Sequence, residues 1–518
     1  MSNYELRHIT EQEDDSVNVV DHQGRRQQQQ SASGDRLPDV VLVGSSDGKL
    51  LLDSNGQPVD KFKIVFFILL LHGIGTLMPW NMFINAEAYF RTYKLTPTNS
   101  SSSMDVSPEE LDSLRNNFLS YLGLASQVPN VLFNGLNLLV NMGSGNLKMR
   151  VNLTLALEGV VFLVTIILAV VDSSKWPGAF FYVTMISVVF LNMASGIYQN
   201  CIFGTGAKFP GNYTNAILIG SNLSGTFTST INLLSIWLAP APQLAATYYF
   251  ITALFIILIC IISYNLLPIN PFFRHYDSGS DAADRNKTKN ELEIATTVRS
   301  AGVEKDTNDI PDSLRRTVDA MVPRPESDAT ANSPTFVAEL KRKFLVFKQC
   351  WPQCLNVFLT FYVTLALFPA VMADIQRKQD LLSDKYFTSF ACFFLFNIFA
   401  MIGNLVSGWT TWPGRNKVWL LVVSRFIFVP FFLFCNFKPT LRKWPVLITN
   451  DIVYMLGNII FAASSGYLSS LCMIFASNNL KPEDAPTGGM LAAFFLVFGI
   501  FLGINSSFLL TWIVQIGG

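Results

Sequence analysis

The stretch Gly73–Phe90, GIGTLMPWNMFINAEAYF, decides how this chain is read. It lies in an apolar run that begins near Lys63, long enough for the roughly 20 helical residues that cross a hydrocarbon core. Yet Gly73, Gly75, Pro79 and Asn81 crowd into it. In oil, backbone groups freed by such breakers need partners, which only neighbouring helices or cavity water supply. The stretch therefore reads as the wall of a solute chamber, with Gly75, Pro79 and Asn81 as points where the helix bends or gates.

Composition agrees. Half of the 518 residues are hydrophobic and 14% are charged, against about a quarter charged in soluble domains. Lys plus Arg and Asp plus Glu number 37 each, so charge points to no nucleic-acid partner. The seven cysteines fall mostly in apolar runs. Cys350 and Cys354 are spaced CxxxC, but no second pair or histidine completes a zinc site, so neither metal nor cofactor is expected. The chain has no GxxxxGK[ST] loop, which argues against ATP coupling. With His72 as the one histidine in the apolar runs and no nucleophile–base pairing, a membrane enzyme is not expected.

Residues 1–60 are polar, include Gln27–Gln30, and lack the apolar core of a signal peptide. They read as a disordered cytosolic tail. Apolar segments follow at about 63–90, 116–141, 151–171, 178–206, 214–238, 246–268, 353–373, 387–411, 418–437, 447–475 and 490–515. The fold class expected is an all-α polytopic membrane protein with eleven transmembrane helices. Residues 61–271 carry helices 1–6, residues 272–345 a disordered cytosolic loop, and residues 346–518 helices 7–11. Lys49, Lys61, Lys63, Arg274, Lys341, Arg342, Lys343 and Lys348 favour a cytosolic N-terminus and central loop, leaving the C-terminus extracellular. Lys378, Lys385, Lys438 and Arg442 in short loops pull the other way. Asn99-Ser100-Ser101 is then an external glycosylation sequon.

Several spans are polar on one face. In the second, Asn116, Ser120, Gly123, Gln127, Asn130, Asn134 and Asn137 recur at steps of three or four, one helical stripe. The fourth offers Asn192, Ser195 and Gln199; the fifth offers Gly220, Ser221, Ser224, Gly225 and Ser229. Carboxamides both donate and accept, which suits a neutral cargo bearing hydroxyls and ring nitrogens. Trp80 supplies a flat apolar wall. The other reading of these stripes is helix packing with internal hydrogen bonds. Glu158 and Arg425 are the clearest charges at membrane depth. They are read as interfacial anchors that snorkel, or as a salt bridge closing a gate.

These motifs together resemble the equilibrative nucleoside transporter family, solute carrier family 29. GIGTLMPWN (73–81), YQNCIFGTGAKFPGNYTNAILIGSNLSG (198–225), LFPAVMADI (367–375), FNIFAMIGN (396–404), WPGR (412–415) and the run from Gly466 to Gly503 carry the likeness. It covers all eleven spans. The resemblance implies a major-facilitator-like bundle of six plus five helices. It moves nucleosides, in some members nucleobases or organic cations, by alternating access without ATP. By position it makes Trp80, flanked by Leu77 and Ile84, the aromatic contact for the base, and Gln199 a contact for base or sugar. Gln127 and Asn130 fall where family members face the nucleobase with apolar side chains. Asn397 matches an amide of the eighth span, and Gly220 and Gly225 match packing glycines. One departure stands out: Ala400 and Asn404 occupy positions where the family carries Asp and Arg that hold ribose. Asn404 is taken as a partial substitute. The expected protein is a monomeric, glycosylated plasma-membrane transporter in a lipid bilayer. A proton-linked or cation carrier using Glu158 or His72, or a non-transporting receptor, remains as the alternative.

Overall fold

The computed structural model describes residues 41–45, 48–52, 58–86, 89–96, 105–139, 147–238, 242–277 and 336–516. Helices make up nearly all of it. In the first half the long ones are α1 (Ile64–Asn85), α2 (Phe118–Leu139), α3 (Leu147–Val170), α4 (Pro177–Gly206), α5 (Gly211–Leu238) and α6 (Pro242–Leu266), with a short helix at Pro108–Asn116 before α2. In the second half α7 (Phe336–Leu367) is followed by α8 (Leu395–Ser407), which continues a π-helical turn over Thr388–Phe394. Next come α9 (Val418–Ser424), α10 (Asp451–Ser477) and α11 (Ala485–Ile516).

Eight of these helical segments are long and apolar enough to cross a bilayer. The other three expected spans coincide with α2, α5 and the shorter apolar segment Val418–Leu433. In α2 and α5 the amides and hydroxyls of the polar faces dilute the apolar signal. Eleven spans are thus not carried by apolarity alone.

Other boundaries also move. Residues 336–345, expected as the end of a loop, are the first turns of α7, where Lys341, Arg342 and Lys343 are good helix formers. Pro369 stands beyond the end of α7 at Leu367. Within the tail expected to lack structure, Val41–Ser45 pairs antiparallel with Gly48–Leu52. Residues 1–40 and 278–335 lie outside the described residues, as does the sequon asparagine Asn99.

Each half builds its own aromatic core. Phe83, Phe90, Phe162 and Phe250 meet in the first, with ring centroids 5.5–6.3 Å apart. Phe396, Phe428, Phe432 and Phe461 meet in the second, at 5.1–6.2 Å. The outer helix α3 shows how side is chosen: Val151, Leu155, Phe162 and Ala169 are buried while Leu153, Val160, Leu163 and Ile167 are exposed. That exposed apolar face suits acyl chains.

Glycine sets the closest approaches. A Cβ on Gly73 would overlap the Ile217 carbonyl, and one on Gly220 would overlap the Leu70 carbonyl, so α1 and α5 lie backbone to backbone. Gly403 and Gly466 play the same part between α8 and α10, against the carbonyls of Ala463 and Ala400.

Candidate functional site

Three first-half helices converge beside the polar stripe. The Ser195 hydroxyl of α4 lies 3.5 Å from the Thr76 carbonyl of α1. One residue on, a Cβ at Gly196 would stand 2.5 Å from the Asn130 carbonyl of α2. Trp80, Gln127 and Gln199 each sit one turn from this junction. Trp80 is half-buried and packs on the first aromatic core, as does Ile84, and Leu77 is half-buried too. Gln127 and Gln199 are 8% and 6% exposed. Among the described residues no hydrogen bond is made by either glutamine side chain, and the buried Asn130 Oδ1 has no partner. Buried carboxamides with unmet demand are costly unless water or a ligand meets it. Trp80 and Gln127 lie on one side of the junction and Gln199 on the other. The three are thus spread over about two helical turns, roughly 11 Å.

The remaining polar residues serve packing. Asn81 Nδ2 donates to Ser224 Oγ at 3.1 Å, and Thr76 Oγ1 lies 3.2 Å from Ser221 Oγ. Gly75 gives room to Tyr198 and Cys260, each within 3.0 Å of where its Cβ would be. Much of the opening stretch is thus spent on joining α1 to its neighbours. Pro79 is buried within α1 without ending it.

The far end of the α2 stripe is corrected likewise. Arg150 donates to Asn137 Oδ1 at 3.0 Å, and Asn137 Nδ2 donates to Asn200 Oδ1 at 2.7 Å. Asn200 Nδ2 donates in turn to Asn134 Oδ1 at 3.0 Å and to the Met490 carbonyl at 2.9 Å. Asn137 is therefore a packing group, and Asn134 gives its Oδ1 to packing while its buried Nδ2 is left without a partner among the described residues.

From the second half, Asn397 donates to Ser229 Oγ at 3.1 Å and to the Phe393 carbonyl at 2.9 Å, lying over Gly225 of α5. A Cβ on Gly225 would overlap its amide. Asn404, expected to touch substrate, is fully buried elsewhere. Its carbonyl accepts from Asn215 Nδ2 at 2.8 Å, and its Oδ1 lies 3.0 Å from Ser470 Oγ. Ala400 is buried against Gly466. Sequence reasoning missed Asn215 and Ser470 because their partners lie up to 255 residues away and no local period announces them.

Glu158 and Arg425 neither snorkel nor pair. Glu158 is 0% exposed, and among the described residues both its carboxyl oxygens lack a partner. Arg425, 1% exposed, donates to the Thr360 carbonyl at 2.8 Å and the Phe461 carbonyl at 3.4 Å, with its guanidinium 4.7 Å from the Phe461 ring centre. It fastens α7, α9 and α10 inside the second half. Because a buried charge repays its desolvation poorly, Arg425→Met should keep the thermal midpoint within a few degrees of wild type. Arg425→Ala, which leaves a cavity, should destabilise by about 2–4 kcal/mol in detergent melts. Equal melting of the two variants would show that the guanidinium itself, rather than its volume, holds the helices.

A cavity of 420 Å³ opens elsewhere, lined by Asp374, Gln376, Arg377, Asp384, Lys438 and Thr440. Ion pairs cross it: Arg377 to Asp384, and Lys438 to Asp374 at 3.2 Å. None of the expected site residues lines it, and its charges suit loop bracing better than a neutral cargo.

A family model described as nucleoside transporter matches residues 185–512. The chain is 32% identical over 482 residues to equilibrative nucleoside transporter 1 of Homo sapiens, covering 89% of this chain and 100% of that protein. It is 32% identical over 465 residues to equilibrative nucleoside transporter 2 of Homo sapiens, covering 87% and 98%. Among solved structures, the major facilitator superfamily proton:xylose symporter XylE bound to 6-bromo-6-deoxy-D-glucose superposes with a TM-score of 0.53 at 10% identity, covering 88% of each chain. That likeness concerns the fold.

Proposed function

The chain belongs to the nucleoside transporter family, and from that premise we propose that it carries nucleosides down their gradient by alternating access. The observation that carries the reading is identity at 32% along the whole length of a named equilibrative nucleoside transporter. The site chemistry fits. Gln127, Asn130 and Gln199 offer uncharged donors and acceptors with no internal claim on them, and Trp80 offers a face for a heterocycle. A nucleoside brings ring nitrogens, hydroxyls and a flat base, the complement of that set.

The two helical halves rock about this path, the usual way that a midplane site is exposed alternately. The N-terminus and the central segment face the cytosol in this reading, the protein stands in the plasma membrane, and Asn99 carries glycan outside. His72 lies inside the first half, its Nδ1 2.7 Å from the Tyr198 hydroxyl and its Nε2 3.3 Å from Ser263 Oγ, so it serves packing.

Radiolabelled uridine, adenosine and free nucleobases offered to proteoliposomes test the reading. Saturable nucleoside uptake is expected, equal at about pH 5.5 and about pH 7.5 on both sides, since no histidine switch lies in the path. A folded protein that passes none of these solutes would overturn it; uptake that needs a proton gradient would replace facilitated diffusion with coupling.

A further inference from the structure

Among the described residues most hydrogen bonds between the halves gather at one end of the bundle, the end where α2, α4, α8 and α10 finish and α5, α7 and α11 begin, with Asn397 to Ser229 the exception further along the α5–α8 seam. On one seam, Asn215 Nδ2 near the start of α5 donates to the Asn404 carbonyl near the end of α8. Ser470 Oγ of α10 lies 2.6 Å from Asn215 Oδ1 and 3.0 Å from Asn404 Oδ1. On the other seam, Asn200 Nδ2 of α4 donates to the Met490 carbonyl of α11 at 2.9 Å, where a Cβ on Gly489 would stand 2.6 Å from the Phe203 carbonyl. Lys343 Nζ of α7 caps the C-terminus of α2 through the Leu138 carbonyl at 2.7 Å. Beside it a small apolar cluster unites Leu138 of α2 with Val346, Cys350 and Cys354 of α7 and Leu491 of α11.

We propose that Asn215, Asn404 and Ser470 form a latch that holds this end of the transport path closed, and that Asn404 serves closure instead of substrate. The inference rests on the transport reading for its purpose but on the contacts above for its geometry.

The chemistry suits a door that must open often. All three groups are neutral. Each neutral hydrogen bond shifts an equilibrium by only about fivefold, whereas breaking a buried ion pair strands charges in a dry seam. A cargo without charge can supply only modest differential binding to the two states, so closure has to be weak enough for it to undo. The latch is also incomplete. Ser470 has one hydroxyl hydrogen for two acceptors, and Asn404 Nδ2 is buried without a partner. A donor in that condition gains a bond when water enters, which lowers the cost of opening.

Cys350 and Cys354, fully buried beside Lys343, report the state of this end. In purified full-length protein, Ser470→Ala should raise the alkylation rate of these two thiols by N-ethylmaleimide about fivefold, the shift carried by one neutral hydrogen bond. Site-resolved mass spectrometry reads it, and Cys260 inside the first half is expected to stay at its wild-type rate. An unchanged rate at Cys350 and Cys354 would overturn the proposal.

A second variant guards against misfolding. Asn215→Cys with Ser470→Cys, bridged by a methylene-linked bis-methanethiosulfonate, forms two disulfides as methanesulfinate leaves. Bridged protein should lose nucleoside flux and regain it in dithiothreitol. Undiminished flux in bridged protein would sink the latch. If the wild type carries no nucleoside, the transport reading fails, while the alkylation result still judges the closure.

Discussion

Gly220→Val is expected to remove nearly all folded protein, read as the yield of monodisperse material in detergent and its thermal midpoint. The position leaves no alternative. A Cβ there would overlap the Leu70 carbonyl and stand 2.9 Å from the Ile74 nitrogen, and these are backbone atoms that no rotamer can move. Overpacking in an adaptable core costs about 1–3 kcal/mol; here two helices must separate, losing the Thr76–Ser221 and Asn81–Ser224 contacts with them. Gly123→Ala is the control. It is a helical glycine in α2 with open space around its Cβ position, so it should melt at or slightly above wild type. Similar loss in both variants would mean that glycine content, not this crossing, matters.

Trp80→Ala is expected to lower nucleoside flux about tenfold or more, the effect of losing an aromatic stacking contact of about 1–3 kcal/mol. Trp80 also packs on the first core, so a folding defect has to be separated from a binding defect. Trp80→Phe keeps a ring and most of the packing, and should recover most of the affinity. Trp237, 70% exposed at the end of α5, gives the outer comparison: Trp237→Ala should transport normally. Full flux by a well-folded Trp80→Ala protein would demote the indole to packing.

How much of this was legible beforehand follows from the range of each interaction. Helices announce themselves by runs and periods a few residues long, so the first-half boundaries and the glycine crossing of Gly220 were visible. Polar periodicity told that α2 has a stripe but not which amides another helix claims. Asn137 and Asn200 meet across 63 residues and Asn200 reaches Met490 across 290, so the lower half of the stripe read as cavity when it is seam. Charge was misread for a related reason. Glu158 stands at the middle of α3 and Arg425 just past the end of α9, and the fold closes over both; depth in a bundle is set by which helices surround a residue. Asn404 shows the limit of resemblance: likeness assigned it the station of a ligand-binding arginine, and the fold gives its Oδ1 to Ser470 and its main-chain carbonyl to Asn215.

The uncharged carboxamides proposed for the path bear on how the protein feels voltage. An elementary charge crossing a 100 mV potential exchanges about 2.3 kcal/mol with the field. Gln127, Asn130 and Gln199 carry no such charge, and Glu158 and Arg425 are fixed inside the halves rather than ferried with cargo. Depolarising a vesicle therefore leaves the internal-to-external ratio of a neutral solute at unity, and accumulation has to come from chemistry that consumes the solute after it enters.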